Sequence, residues 1–244
     1  ARSVLDEKFN NIERNKPLDI EGWTNSALKG TRAWWGFSFL DYDAESPNEK
    51  VAKVTPYDSK METGMGTPAQ MMLVTPPLDF KNAASKVFTF KVRGDYLQDN
   101  QPDLLELCYV DIADGSLYVQ PLAECKMPCT KDESGKWFPY SIDLTGQQLA
   151  DVFFMAFRFT STRGCDNTAT YYIDDVTYGL ETTAIKTVGT TEKARLTVYN
   201  LAGSKVAEKS GASVADALHG LPRGMYIVKA VSADGVSTSK VQVK

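Results

Sequence analysis

Two stretches decide the fold: ADVFFMAFRF (Ala150–Phe159) and TATYYIDDVTYG (Thr168–Gly179). The first is apolar on every side, so as a helix it would have no face to give to water. Its aromatics suit a buried strand instead. The second places Asp174 and Asp175 inside an apolar, β-prone run from Tyr171 to Val176. Neighbouring side chains on a strand point to opposite faces, so one of these carboxylates must point with the apolar residues. If Tyr171 and Ile173 face the core, that parity turns Asp175 inward.

The same texture extends through the preceding chain. SKVFTFKVRG (85–94) alternates Val87, Thr89 and Lys91 with Phe88, Phe90 and Val92, a strand buried on one face. DLLELCYVDIADGSLYVQPL (103–122) reads as two strands joined at ADGS, with Asp-Gly supplying the turn. KWFPYSIDL (136–144) adds another strand. Short strands broken by Gly, Pro, Asn and Asp point to an all-β sandwich.

Near residue 180 the composition shifts. GLETTAIKTVGTTEKA (179–194) is small, polar and threonine-rich, a linker followed by a new start. Glycine-punctuated alternating strands come after it. The boundary falls between Leu180 and Thr191, giving domains at 1–180 and 181–244, the second a small Ig-like β-sandwich. Its roughly 60 residues are few for an independent core.

The 244 residues carry a net charge of −4 and 43% hydrophobic content, enough for a packed core. No basic stripe with interleaved aromatics exists, which argues against nucleic-acid binding. No run approaches the roughly 18 apolar residues of a membrane-spanning helix. ARSVLDEKFN (1–10) has no signal core, so either the protein is cytoplasmic or a signal has been removed. The single histidine, His219, lies in the loop-like DALHGLPRG (216–224) and excludes multi-histidine metal centres. No G-x-S-x-G elbow is present. Cys108, Cys125, Cys129 and Cys165 allow three full pairings, Cys125–Cys129 with Cys108–Cys165 among them, or remain free thiols.

Two resemblances follow from motifs in order. LDEKFN (5–10), GWTN (22–25), MLVTPPLDF (72–80), SIDLTGQQLADVFFMAFRFTS (141–161) and YYIDDVTY (171–178) resemble the choice-of-anchor J and cleaved-adhesin jelly rolls. VYNLAGSKV (198–206), LPRGMYIVKA (221–230) and SKVQVK (239–244) resemble the C-terminal sorting domain of the type IX secretion system of Gram-negative anaerobes. In the latter, Val198, Tyr199 and Leu201 are expected to pack against Tyr226, Ile227 and Val228.

These resemblances imply an exported protein, secreted or anchored at the cell surface, with its signal peptide removed. They also imply a structural calcium joining the first strand to the last, with Asp6 or Glu7 and Asp175 as ligands. Calcium needs only two or three carboxylates among its six to eight oxygens. The alternative for Asp175 is an aspartate accepting backbone N–H bonds at a strand end. Asp41 and Asp43 in FLDYDAE (39–45) are further acidic candidates, or simply an exposed loop.

The expected role is non-catalytic binding of a glycan or an extracellular host or matrix protein. Trp34, Trp35, Tyr96 and Trp137 are the aromatic candidates, since an outward ring can stack on a sugar. Trp34 and Trp35 are adjacent, so on a strand one points in and one out. Trp23 belongs to the core. The loops at 62–70 and 160–170 offer a binding edge. Rival readings are an assembly module of a surface layer and, third, an enzyme acting on polysaccharide or peptide. Glycoside hydrolysis would need two carboxylates facing across a cleft.

Overall fold

The computed structural model describes residues 1–39, 49–57, 68–100, 103–162, 168–180, 195–211, 213–232 and 235–243. Asp41, Asp43, Cys165 and most of the loop at 62–70 lie outside the described residues. The chain forms two compact units, Ala1–Leu180 and Glu181–Lys244.

The first unit is a sandwich of two six-stranded sheets. One sheet runs in the order β10 (Trp137–Asp143), β7 (Val87–Asp95), β12 (Thr170–Tyr178), β4 (Lys50–Val54) and β3 (Trp35–Ser38), with β1 (Leu5–Glu7) also paired to β12. The other runs β2 (Thr24–Lys29), β5 (Ala69–Val74), β11 (Val152–Ser161), β8 (Leu104–Ala113) and β9 (Ser116–Pro121), with β6 (Leu78–Asp79) on β11. Every strand pair is antiparallel and the neighbours are mostly non-consecutive, as in a jelly roll.

The core lies between the sheets. β11 sends Phe153, Met155, Phe157 and Phe159 into it, and β7 sends Phe88, Phe90 and Val92. Asp114 and Gly115 close the β8–β9 hairpin with φ of 52° and 73°, the left-handed pair that a tight hairpin turn requires.

β12 departs from simple alternation. Tyr171 and Ile173 face the core, and so do Val176 and Tyr178, which have the opposite parity. The switch occurs at Asp175, whose φ is +50°, and the register with β7 shifts between Asp174 and Thr177. A bulge inserts one residue and moves later side chains to the other face. The inward assignment of Asp175 is therefore corrected: Asp174 is the buried carboxylate, 2% exposed, and Asp175 is half exposed. Asp174 shares the face of Tyr172, outside the main core. The strand ends at Gly179 (φ +70°), where an added Cβ would fall 1.9 Å from the Ser3 carbonyl oxygen. Only glycine lets the N-terminal segment lie this close.

Trp34 is fully buried, 6.3 Å from Phe157 between ring centroids. Asn25 of the GWTN motif fixes it there. The Asn25 side-chain amide donates to the Trp34 carbonyl at 2.8 Å, and its oxygen accepts the Trp34 N–H at 2.9 Å. Trp23 packs against the core, 5.7 Å from Phe9.

In the second unit, β13 (Arg195–Asn200), β14 (Lys205–Ser210), β15 (Gly224–Ser232) and β16 (Gly235–Val243) form one antiparallel sheet in the order β14-β13-β15-β16. α1 (Val214–Leu218) packs on it through Ala217. It replaces the loop expected around DALHGLPRG. Ser213 caps it by accepting from the Asp216 N–H, while the Asp216 carboxylate accepts the Ser213 N–H. Val198, Tyr226 and Val228 share this core with Leu196. Tyr199 and Ile227 do not, because they have the opposite parity on β13 and β15, nor does Leu201, which sits in the β13–β14 turn, 63% exposed.

Cys108, Cys125 and Cys129 are free thiols, so the Cys125–Cys129 pairing is not formed. Cys125 turns into the core and Cys129 out of it. Burial pushes the Cys108 thiol up to about 11 and the Cys125 thiol up to about 12, which keeps both protonated. No helix among the described residues is long and apolar enough to cross a membrane.

Candidate functional site: the outer face of the first sheet and its cleft

The site follows from register. Trp35 lies opposite Lys53, Lys53 opposite Tyr172, Tyr172 opposite Arg93, and Arg93 opposite Trp137. Residues directly opposite share a face. One row therefore crosses β3, β4, β12, β7 and β10, alternating aromatic ring and cation. In the next row, Asp174 lies opposite Lys91 and Phe37 opposite Val51. Phe37, Phe39, Val51, Tyr172 and Trp137 make a small apolar cluster on this outer side.

The cations lie on the rings. Lys53 Nζ is 4.6 Å from the Phe37 centroid and 5.9 Å from that of Tyr172. Arg93 stands 4.7 Å over Phe39, Arg32 5.2 Å over Trp35, and Lys91 5.1 Å over Trp137. Ring faces are negative and hold cations, so the face is packed without being apolar. Arg93 also donates from Nε to Asp95 at 2.8 Å.

A cleft of about 570 Å³ opens beside Lys53 of this row. Tyr57 and Tyr96 line it and are 50% and 71% exposed. Thr55, Thr168, Thr170 and Gln98 supply hydroxyl and amide groups, and Lys53 lines it with its amine. The Thr170 hydroxyl donates to the Thr55 hydroxyl at 3.1 Å, which fixes the two against each other. Tyr96 holds a left-handed backbone, φ +61°, just past the end of β7. Burial lowers the Lys53 amine from its ordinary value; nearby Arg32 lowers it further, and Asp95 partly opposes them.

A carboxylate group lies on the same face. Ligand atoms of Glu49, Asp174 and Asp175 fall within 4.8 Å of one another, and these three could hold a metal ion. Three hard oxygen donors suit calcium. Lys91 stands among them, 2.6 Å from Glu49, 3.3 Å from Asp175 and 3.8 Å from Asp174. A bound ion would replace the Lys91 ammonium as their counter-charge. Burial drives the Asp174 carboxyl up to about 8, with the hydrogen bond to Glu49 as the second cause.

The residues singled out in the sequence divide among these places. Tyr96 is in the cleft. Trp35 and Trp137 are half-buried in the row, one at each end. Trp34 is in the core and cannot meet a ligand, because it immediately precedes β3 and takes the inward parity. Asp175 reaches Lys8 at 3.5 Å, and Lys8 reaches Asp6 at 3.6 Å, so one ammonium bridges the first strand region and the last. Glu7 Oε1 accepts the Phe9 N–H at 2.6 Å. Glu49, Lys53, Tyr57 and Asp174 are functional candidates that the sequence did not single out.

Among solved structures the chain is similar to the K1 cleaved adhesin domain of Lys-gingipain from Porphyromonas gingivalis W83. The identity is 17% over 71% of this chain and 96% of that one, with a TM-score of 0.43. It is also similar to a family 11 carbohydrate-binding module from Clostridium thermocellum, solved with a β-1,3-1,4-mixed-linked tetrasaccharide. That identity is 8% over 71% of this chain and 95% of the module, with a TM-score of 0.35. A β-1,2-glucanase from Parabacteroides distasonis shows 12% identity over 97% of this chain and 39% of that one, with a TM-score of 0.43. The chain thus spans well under half of that enzyme. No protein-family model and no curated protein matches the sequence.

Proposed function

We propose that the chain is an exported, non-catalytic glycan-binding protein and that the cleft beside Tyr57 and Tyr96 is its binding site. The observation that carries this reading is the composition of the cleft. Two exposed tyrosine rings line it together with hydroxyl, amide and amine groups. Sugars offer C–H faces to rings and hydroxyls to polar groups, so each part of the cleft has a counterpart in a saccharide. The described lining holds no carboxylate pair of the kind that glycosidic bond cleavage uses.

A glycan array tests it. Binding should appear and should be lost in both Tyr57→Ala and Tyr96→Ala. The rival assembly reading has its own support: β9 is an edge strand with Leu117 and Tyr118 exposed. Such an edge can pair with another chain. A silent array together with a defined oligomer in solution would replace the glycan reading with that one.

Two further parts of the proposal rest on the sequence resemblances. The second unit serves export to the cell surface; its quoted segments form the second half of β13 with its turn and the start of β14, most of β15 and the second half of β16. The first unit carries a structural calcium, for which Glu49, Asp174 and Asp175 are the best-placed ligands. At about 100 times its dissociation constant, a bound ion adds roughly 2.7 kcal/mol to stability. Calcium should therefore raise the melting temperature by several degrees over chelator, and Asp174→Asn should abolish the difference. Equal melting curves with and without calcium would remove the ion from the proposal and leave Lys91 as the permanent counter-charge.

A further inference from the structure

We propose that the ligand of the cleft is an acidic glycan, one carrying a carboxylate or a sulfate, and that Lys53 is the group that holds its charge. This rests on the glycan reading of the same cleft and narrows it to a chemical class.

The starting point is an amine with no acceptor among the described residues. Lys53 is half-buried near the C-terminal end of β4, and its described contacts are the faces of Phe37 and Tyr172. Among the described residues no carboxylate or carbonyl pairs with it. A partly buried ammonium without a hydrogen-bond acceptor is costly, and ring faces replace only part of its lost hydration.

The charged groups facing Lys53 do not supply the missing partner. Arg32 is a second cation. Asp95 is the carboxylate nearby, and its Oδ1 already accepts from Arg93 Nε at 2.8 Å. Among the described residues this corner therefore gathers Arg32, Lys53 and Arg93 with Asp95 as the carboxylate nearby, in a chain whose net charge is −4. The local sign of the described groups opposes the global one. Charge concentrated this way selects ligands of the opposite sign at short range, while the overall acidity repels indiscriminate polyanion binding.

The surroundings suit a saccharide anion better than a bare one. Lys53 shares the cleft with the exposed rings of Tyr57 and Tyr96 and with the Thr55–Thr170 hydroxyl pair. A uronic acid, a sialic acid or a sulfated sugar presents an anionic oxygen, a C–H face and hydroxyls from one unit. An ammonium–oxyanion contact is a charge-assisted hydrogen bond, stronger than the same amine makes with a neutral hydroxyl.

Four probes on the full chain test this, by calorimetry at fixed salt: oligogalacturonate and its methyl ester, dextran sulfate and dextran. Each pair differs in the charge. Preference for oligogalacturonate over its ester assigns a carboxylate; preference for dextran sulfate over dextran assigns a sulfate. In either case Lys53→Met should weaken the acidic probe at least tenfold, and Lys53→Arg should restore most of it. Methionine keeps the stem against Phe37 and Tyr172, so the melting temperature of Lys53→Met should stay level or rise. If the neutral partner of each pair binds as well as the acidic one, or Lys53→Met binds like the parent, the inference falls while the glycan reading survives. If none of the four probes binds, the inference falls too, and the glycan array decides the broader reading separately.

Discussion

The two faces of the sheet containing β12 share a backbone and follow opposite rules. The inner face is Tyr171, Ile173, Val176, Tyr178, Phe88, Phe90 and Val92, closed against β11. The outer face is Trp35, Lys53, Tyr172, Arg93 and Trp137, with Asp174 and Lys91 in the next row. The inner face is stabilised by excluding water. The outer face is ordered by rings holding cations, which leaves polar groups fixed in place yet within reach of a ligand. A surface can thus be rigid without being sealed, and the cleft lies at the end of that surface.

The neighbouring tryptophans give the most forceful way to break this comparison. Trp34→Ala empties a fully buried indole site and should cost about 3–5 kcal/mol. Trp35→Ala removes a half-buried ring and its Arg32 contact and should cost about 1 kcal/mol. Urea denaturation measures both. Similar losses would mean that the outer row is a second core and that its polar character is incidental.

The smaller step is at Asp175, the residue that joins the two rules. Its φ of +50° lets β12 change parity, so that Val176 and Tyr178 still reach the core past the bulge. Valine is strained in this conformation and should cost roughly 1–3 kcal/mol. Glycine adopts it freely, so Asp175→Gly should change stability by less than about 1 kcal/mol. A costlier glycine would show that the ion pairs with Lys8 and Lys91, not the backbone, hold the bulge.

That bulge also marks where reading the sequence stops working. Strict alternation made β7 recognisable from Phe88, Phe90 and Val92, and Asp114-Gly115 identified the hairpin turn. Continuous apolarity identified β11. These are local signals. Counting parity through Asp174 and Asp175 failed because one left-handed residue resets the count, and nothing in YYIDDV announces it. The short α1 was hidden for a related reason: five residues are too few for periodicity, and only the Ser213–Asp216 cap defines it. The outer row needs the registers of five strands, and neither Lys53 nor Arg93 is unusual alone. Tyr96 was recognisable as a loop aromatic, but Tyr57 acquires meaning only from the fold that brings it to the same cleft.

The smallest expected effect on stability bears most directly on function. Tyr57 and Tyr96 are the most exposed aromatic rings of the described cleft, and neither belongs to the buried clusters. Replacing either with alanine should change unfolding free energy by less than about 0.5 kcal/mol, as for surface positions generally. Each should nevertheless weaken a bound glycan at least tenfold, about 1.4 kcal/mol of binding free energy. The two measurements must diverge for the comparison of faces to hold. On the inner face, stability and structure are lost together when a ring is removed. In the cleft, a ring that contributes almost nothing to folding remains free to contact a ligand. If both tyrosines proved to stabilise the fold by 2 kcal/mol or so, like ordinary core aromatics, the cleft would be a packing defect between loops. The binding surface would then have to be sought elsewhere, first along the exposed edge of β9.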